Sequence, residues 1–347
     1  MPGKILGLAW LVLLAGCASA PTVSSSGRFE IGLIGDQHYD AESTARFPNI
    51  MAEMNRAELA FVVHIGDIGD IGAPPHGSCL DETYYRRRDE FNQSRHPLVF
   101  TPGDNEWTDC HQAGIPDSLE RLSKVREVFF PGELSLGQRT MPVTRQSGDP
   151  RYSRFRENAR WTHGGVVFVT LHIPGSNNNL GRTPEMDAEF AERNAVNIEW
   201  MRQAFQYAKQ GGSTALMILI QVNPRFENNW PARRKGALGI APAPKRPSGY
   251  AEFLTELQRE VLAYDNPVAL VHGDTHYFRV DKPLILDDKS GGGRGRVVEH
   301  FTRVELFGYP EAHWVRASVD PADPNVFSFR PGMVEKNLPD RRAKSKP

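Results

Sequence analysis

The 347-residue chain predicts an α/β fold built as one large domain. Two observations carry this: short apolar runs alternate with longer stretches of helical character, and each run has a polar cluster at or soon after its carboxyl end. Apolar runs of this length suit strands buried on both faces. Where strands and helices alternate, ligands bind beyond the carboxyl ends of the strands.

The strand candidates are residues 29–35, 59–65, 97–101, 166–171, 215–220 and 267–271. The first three lead to Asp36, to Gly66-Asp67 and to Pro102-Gly103-Asp104. Helices are expected at 49–56, 84–93, 117–129, 184–209 and 249–262. In the fourth, Ile198, Met201, Phe205 and Ala208 form an apolar stripe that Gly211-Gly212 closes. Residues 277–329 read as strands and turns that should complete a second sheet. The polar clusters only make chemical sense together, so one domain is expected over 28–334, with a disordered polar tail at 335–347.

The formal charge is −1, and removing the leader that carries Lys4 leaves 40 basic against 42 acidic residues, or −2. No global basic field exists to hold nucleic acid. The clusters Arg86-Arg87-Arg88 and Arg233-Arg234-Lys235 read as solvated faces.

Met1-Pro2-Gly3-Lys4, an apolar run over 5–14 and small residues after it make a secretory signal, too short to span a membrane. Leu14-Ala15-Gly16-Cys17 resembles the bacterial lipoprotein processing box, which implies a leader at 1–16 and lipid on Cys17. A plain signal peptide cut at Ala18-Ser19-Ala20 is the alternative. Residues 17–27 then form a flexible tether. The expected location is extracytoplasmic, anchored to a bacterial membrane. Cys79 and Cys110 are left as an even pair in an oxidising compartment, so a disulfide is expected, with two free buried thiols as the alternative.

Four clusters follow one another at strand ends: Asp36-Gln37-His38, Gly66-Asp67-Ile68-Gly69-Asp70, Gly103-Asp104-Asn105-Glu106 and His272-Gly273-Asp274-Thr275-His276. Singly each is weak. In this order they resemble the calcineurin-like metallophosphoesterases, which carry D-x-H, G-D-x-x-D, G-N-H-[DE], a single His and G-H-x-H. The resemblance covers about residues 30 to 280 and implies a four-layer αββα sandwich of two mixed sheets flanked by helices, with the metal site at the strand ends.

It also implies a chemistry. A phosphoester is anionic, so hydroxide attacks it only if cations neutralise the phosphoryl oxygens; two metals also acidify bound water and align the displacement. By the family pattern Asp36, His38, Asp67 and His276 hold the first metal, and Asp67 bridges to the second. Capping of the following helices by Asp36 and Asp67 is the competing role.

The sequence departs from the pattern around the second metal. Asp104 and Asn105 stand where the family has Asn and His, so the ligand becomes a carboxylate and the proton-donating His is missing. The single-His position falls in Ile218-Leu219-Ile220-Gln221-Val222-Asn223-Pro224, where Gln221 is the expected ligand and Asn223 the alternative. Asp274 replaces the first His of the last motif. Such an oxygen-rich site favours Mg, Mn, Ca or iron over zinc. Two divalent ions are expected, and a single retained ion with weakened catalysis is the alternative.

Asn105 and His111 are the expected catalytic positions, His111 as a replacement acid. His172 is a further candidate, and His64, inside an apolar strand, reads as a core histidine. Asn177 and Asn178, in Pro174-Gly175-Ser176-Asn177-Asn178-Asn179, are candidates to hold substrate, an ordinary Asn-rich turn being the alternative. Trp107 either stacks on a leaving group or packs on its loop. The leading function is hydrolysis of a small-molecule or envelope phosphomonoester or phosphodiester by metal-activated hydroxide. A noncatalytic metal-dependent binding module and an envelope structural lipoprotein are its rivals. The oligomeric state is left open.

Overall fold

Strands that are apolar on both faces need cover on both sides, and the protein supplies it by stacking two sheets with helices outside them. The computed structural model describes residues 27–70, 77, 79–115, 117–229, 247–287 and 295–339. The leader, Cys17 and Arg233-Arg234-Lys235 lie outside the described residues.

One sheet contains β1 (Phe29–Ile34), β2 (Val62–His64), β3 (Leu98–Phe100), β13 (Trp314–Val319) and β14 (Phe327–Gly332), in the order β14-β13-β1-β2-β3. The other contains β4 (Thr144–Arg145), β5 (Ala159–His163), β6 (Val166–Thr170), β7 (Ala215–Leu219), β8 (Val268–His272), β9 (Arg279–Asp281) and β12 (Phe301–Glu305), in the order β4-β5-β6-β7-β8-β12-β9. A short ribbon pairs β10 (Ile285–Leu286) with β11 (Arg296–Val297). Both sheets are mixed: β1-β2-β3 and β6-β7-β8-β12 run parallel, and the edges are joined antiparallel.

The period of two along each strand assigns its side chains to layers. Ile31 and Leu33 of β1 and Val63 of β2 enter the core between the sheets, where Phe168, Met217, Leu219, Ala269 and Val271 meet them. Ile34, Val62, Leu98 and Phe100 point the other way, under α1 (Ala41–Arg56), α2 (Asp81–Phe91) and α3 (Ser118–Phe129). Leu216, Ile218, Val268 and Leu270 face α4 (Pro184–Gln210) and α5 (Ala251–Leu262). The result is a four-layer αββα sandwich. Among the described residues, no helix is long and apolar enough to cross a membrane.

Residues 277–329 do not build one second sheet. β9 and β12 join one sheet, while β13 and β14 extend the other. Helix α1 begins eight residues before the expected 49, because Asp40 and Ser43 form a reciprocal cap and Pro48 is accommodated inside the helix. The tail expected from 335 is structured through 339: Glu335–Asn337 forms a 3-10 turn, and buried Asn337 donates 2.8 Å to the Ala312 carbonyl. On α4 the buried stripe runs through Val196, Trp200, Met201, Ala204, Phe205 and Ala208, and Ile198 sits at its margin.

Register decides where the chemistry falls. Ile34, His64 and Phe100 are cross-strand neighbours, so the chains leaving β1, β2 and β3 bring Asp36, Asp67 and Asp104 to one end of the sandwich. Thr170, Leu219 and Val271 are likewise level, which carries Gly175, Gln221 and Asp274 to the same end.

Candidate metal centre

Backbone strain concentrates at this end. Among the described residues, eleven non-glycine residues have positive φ, and five of them are Asp36, His38, Asp67, Asp274 and His276. Ser176, Asn177, Asn178, Asn179 and Arg225 are five more, leaving Val326 in the β13–β14 connection. Each left-handed residue with a side chain costs on the order of 1 kcal/mol or more, a strain that clusters at functional sites.

The carboxylates are packed against one another's loops. Asp36 Oδ1 accepts from the Asp274 amide at 3.1 Å. Asp67 Oδ1 accepts from the Asn105 amide at 3.2 Å, and its Oδ2 accepts from the Tyr39 hydroxyl at 2.8 Å and Gln221 Nε2 at 3.1 Å. A glycine without a Cβ roofs each acid. A Cβ on Gly103 would stand 2.0 Å from Asp67 Oδ1, one on Gly273 1.9 Å from Asp36 Oδ2, and one on Gly175 2.5 Å from Asp104 Oδ2.

Burial and crowding shift these groups. Burial, then the neighbouring Asp274, raises Asp36 well above the usual carboxylate range; burial, then Asp104, does so for Asp67. Burial raises Asp104 to about 7, Asp274 to about 6 and Glu106 to about 8. Asp36 Oδ2, Asp104 Oδ1 and Glu106 Oε1 are buried without a hydrogen-bond partner. Five crowded carboxylates, three of them with a buried oxygen left unpartnered, suit a divalent cation, which would remove the repulsion and use those oxygens. As they stand, the donors are gathered but not drawn onto a point: among the described residues no group of three His, Cys, Asp or Glu side chains is set to hold an ion.

The two histidines differ. His276 Nδ1 is 2.7 Å from the Tyr309 carbonyl, which can only accept, so the proton sits on Nδ1 and the Nε2 lone pair faces Asp36, 3.7 Å from Oδ1. His38 is turned away, packed on Phe47 with Nε2 3.6 Å from Glu90 on the helical side. Both its ring nitrogens are buried and unbonded, so the structure brings it near the cluster but not into it.

Several expected roles are corrected by hydrogen bonding. The Gly175 amide donates 2.7 Å to Gln221 Oε1, which turns Nε2, not an oxygen, toward Asp67; in this orientation Gln221 supports Asp67 and offers no lone pair to a cation. Asn223 is tied to the Arg225 amide and to Thr275 Oγ1. Asn105 donates 2.9 Å from its side chain to the Gly69 carbonyl and clasps two motif loops, so its amide is engaged in structure rather than aimed at substrate. Asn178 is fully buried, bonded to Gly249 and Arg193, and cannot touch a ligand. Asn177 reaches the cleft described below, with its side chain bonded to Leu180 and Gly249.

Of the histidines considered as acids, His64 is fully buried, receives the Gly66 amide on Nδ1 and is pushed down to about 3 by burial. His172 is buried, with Trp107 Nε1 on one ring nitrogen and Glu157 on the other, and is no proton donor to substrate. His111 is exposed at the cleft, beside Arg182. Trp107 is fully buried and packs on its loop. Cys79 and Cys110 form a disulfide that fastens the 3-10 turn Thr108–Ala113, after the Asp104 loop, to the start of α2. Arg87 corrects the solvated-face expectation: it is fully buried and donates 2.8 Å to the Ile68 carbonyl.

Tyr39 and Glu106 belong to the site without having been singled out. Tyr39 lies between Tyr309, stacked at 5.4 Å, and His276, edge-on at 5.0 Å. Glu106 Oε2 accepts from the Gly103 amide at 3.1 Å. Tyr39 directly follows the first cluster and Glu106 closes the third, and that placement was the available signal.

Beside the cluster opens a cleft of about 750 Å³, lined by Asp274 and, among others, Asp109, His111, Asn177, Arg182, Arg225 and Tyr250.

The fold and site define an α/β sandwich with an acidic centre at its strand ends. No protein-family model matches the chain, and no curated protein matches it significantly. Among solved structures the chain is similar to TT1561 of Thermus thermophilus, at 10% identity over 88% of this chain and 99% of that one, TM-score 0.45. It is similar also to 5'-nucleotidase from Candida albicans, at 13% identity over 87% of this chain, TM-score 0.42, where it spans 50% of the longer protein.

Proposed function

We propose that the protein is a metal-dependent phosphoesterase acting outside the cytoplasm. The observation that carries this is the convergence of Asp36, Asp67, Asp104 and Asp274 in a buried space, with orphaned oxygens on Asp36 and Asp104 and the His276 lone pair turned toward it. Asp36, Asp67 and His276 would hold one divalent ion, Asp67, Asp104 and Asp274 a second, and His38 would join by turning its ring. Bound there, the ions would neutralise phosphoryl oxygens and supply a nucleophile at neutral pH.

The chain's own residues do the positioning. Tyr39 and Gln221 hold Asp67 Oδ2 and the Asn105 amide holds Oδ1, so ligating both ions would take Asp67 out of some of these bonds; the Tyr309 carbonyl fixes the His276 tautomer. With His64 and His172 in the core, His111, which lines the cleft, would be the histidine to protonate a leaving group. The Cys79–Cys110 disulfide agrees with an oxidising compartment, and lipid on Cys17 would anchor the protein to a bacterial membrane.

The test is turnover of p-nitrophenyl phosphate and bis-p-nitrophenyl phosphate with Mn(II), Mg(II), Ca(II) or Fe(II), before and after chelation, in the parent and Asp67→Asn. Metal-dependent turnover lost in the variant supports the reading. Bound metal without turnover on a broad phosphoester panel would leave a binding module.

A further inference from the structure

We propose that the cleft beyond Asp274 is a subsite for a second anionic group of the substrate, gripped by Arg225, so that the preferred substrates are organic diphosphates. This rests on the phosphoesterase reading and names its substrate class.

The cleft has the size of a small-molecule site, at about 750 Å³, and it opens from the acidic cluster, sharing Asp274 with it. Its other acids are engaged. Asp109 accepts from Ser176 Oγ at 2.6 Å and lies 4.0 Å from Arg182, and Asp187 accepts from the Gly181 amide at 2.6 Å. Arg182 is also committed, to Thr108, Asn179 and His111.

Arg225 differs. It is exposed, no salt bridge or side-chain hydrogen bond of its guanidinium is found among the described residues, and its positive charge acts on Asp274 and Tyr250 at the cleft. Its backbone is held at φ 55, a conformation an arginine adopts only where its surroundings impose it. Asn223 imposes it: Asn223 Oδ1 accepts from the Arg225 amide at 3.1 Å, Nδ2 donates 3.0 Å to Thr275 Oγ1, and the Asn223 amide faces Asp274 Oδ2 at 3.3 Å. The same asparagine thus registers the arginine against the last motif. A planar fork of donors beside the reacting centre suits the second phosphate of a diphosphate, and Leu180, Val222 and Pro247 give the cleft an apolar wall for the organic remainder.

The test compares ADP with p-nitrophenyl phosphate on the full chain, in the parent, Arg225→Met, Arg225→Lys and, as a distant surface control, Arg151→Met. The expected result is that the ratio of kcat/KM for ADP to that for p-nitrophenyl phosphate falls about tenfold in Arg225→Met. Arg225→Lys should recover part of it, and Arg151→Met should match the parent. A ratio within about twofold of the parent in Arg225→Met would overturn the proposal while leaving the phosphoesterase reading intact. If the parent turns over neither compound nor any member of the broad phosphoester panel, that reading fails, and calorimetric titration decides the subsite alone. Tighter binding of ADP than AMP that Arg225→Met abolishes sustains it, and equal binding in both proteins overturns it.

Discussion

Trp107 Nε1 donates to His172 Nε2 across 3.1 Å. An indole nitrogen can only donate, so His172 carries its proton on Nδ1 and gives it to Glu157 Oε1 at 2.9 Å. Arg126 closes the chain with two bonds to Glu157, at 2.9 and 2.5 Å. The buried series joins the loop that carries Asp104 to the ends of β5 and β6.

Replacing His172 by Phe keeps the volume but leaves the Trp107 N–H unpartnered and removes a bond to Glu157. Unsatisfied buried donors cost about 1 to 3 kcal/mol each, so urea denaturation should show a stability loss of about 2 kcal/mol. A change below about 0.5 kcal/mol, the scale of surface substitutions, would show that the series does not support the fold.

The same residues set a pH dependence. Burial pushes His172 down to about 4, so as pH falls below about 6.5 the unfolded chain takes up a proton that the folded protein refuses. The stability this histidine contributes is complete above about 6.5 and is lost progressively down to about 4. Arg126 and His172, outweighing the burial penalty, hold Glu157 well below the usual range, and its contribution also disappears in acid. The stability difference between the parent and His172→Phe should therefore shrink from pH 7 to pH 4.5. A difference that is flat across that interval would contradict the neutral tautomer.

Gly103 and Gly148 offer a contrast between two alanine substitutions. A Cβ on Gly103 falls 2.0 Å from Asp67 Oδ1 and 2.8 Å from its amide nitrogen, whereas nothing lies within 4 Å of one on Gly148. Gly103→Ala should lose metal affinity and phosphoester turnover with little change in circular dichroism. Gly148→Ala should match the parent in both. Equal behaviour of the two variants would mean that the close packing around Asp67 is not needed.

The Cys79–Cys110 bridge closes 31 residues of sequence, a loop for which chain entropy gives about 3 to 4 kcal/mol. Cys79→Ser with Cys110→Ser should lower stability by that order, read by denaturation without reductant. It should also weaken metal binding, because the bridge fastens the turn that follows Asp104. Stability equal to the parent would show that packing alone sets this segment.

Much of this was legible in the sequence because both signals are local. Apolar runs marked six of the strands, and Asp36, Asp67, Asp104 and Asp274 stood at their ends. Side-chain partners were not legible, since they depend on contacts distant in sequence. Gln221 has the composition of a ligand, yet Gly175, 46 residues away, claims its oxygen. Asn178 looks like a rim residue until Arg193 and Gly249 bury it. The short edge strands β4 and β9, with mixed polar sequences, carried too little periodicity to be seen, and Pro48 hid the first two turns of α1.

The central claim is that the gathered acids form a cation site. Elemental analysis of the purified protein, after incubation with Mn(II) and removal of free ion, tests it most directly. About two ions per chain in the parent, with loss of metal in Asp67→Asn at unchanged circular dichroism, is the predicted result. A parent that retains no metal, and whose melting temperature does not move with millimolar Mn(II), Mg(II), Ca(II) or Fe(II), would contradict it.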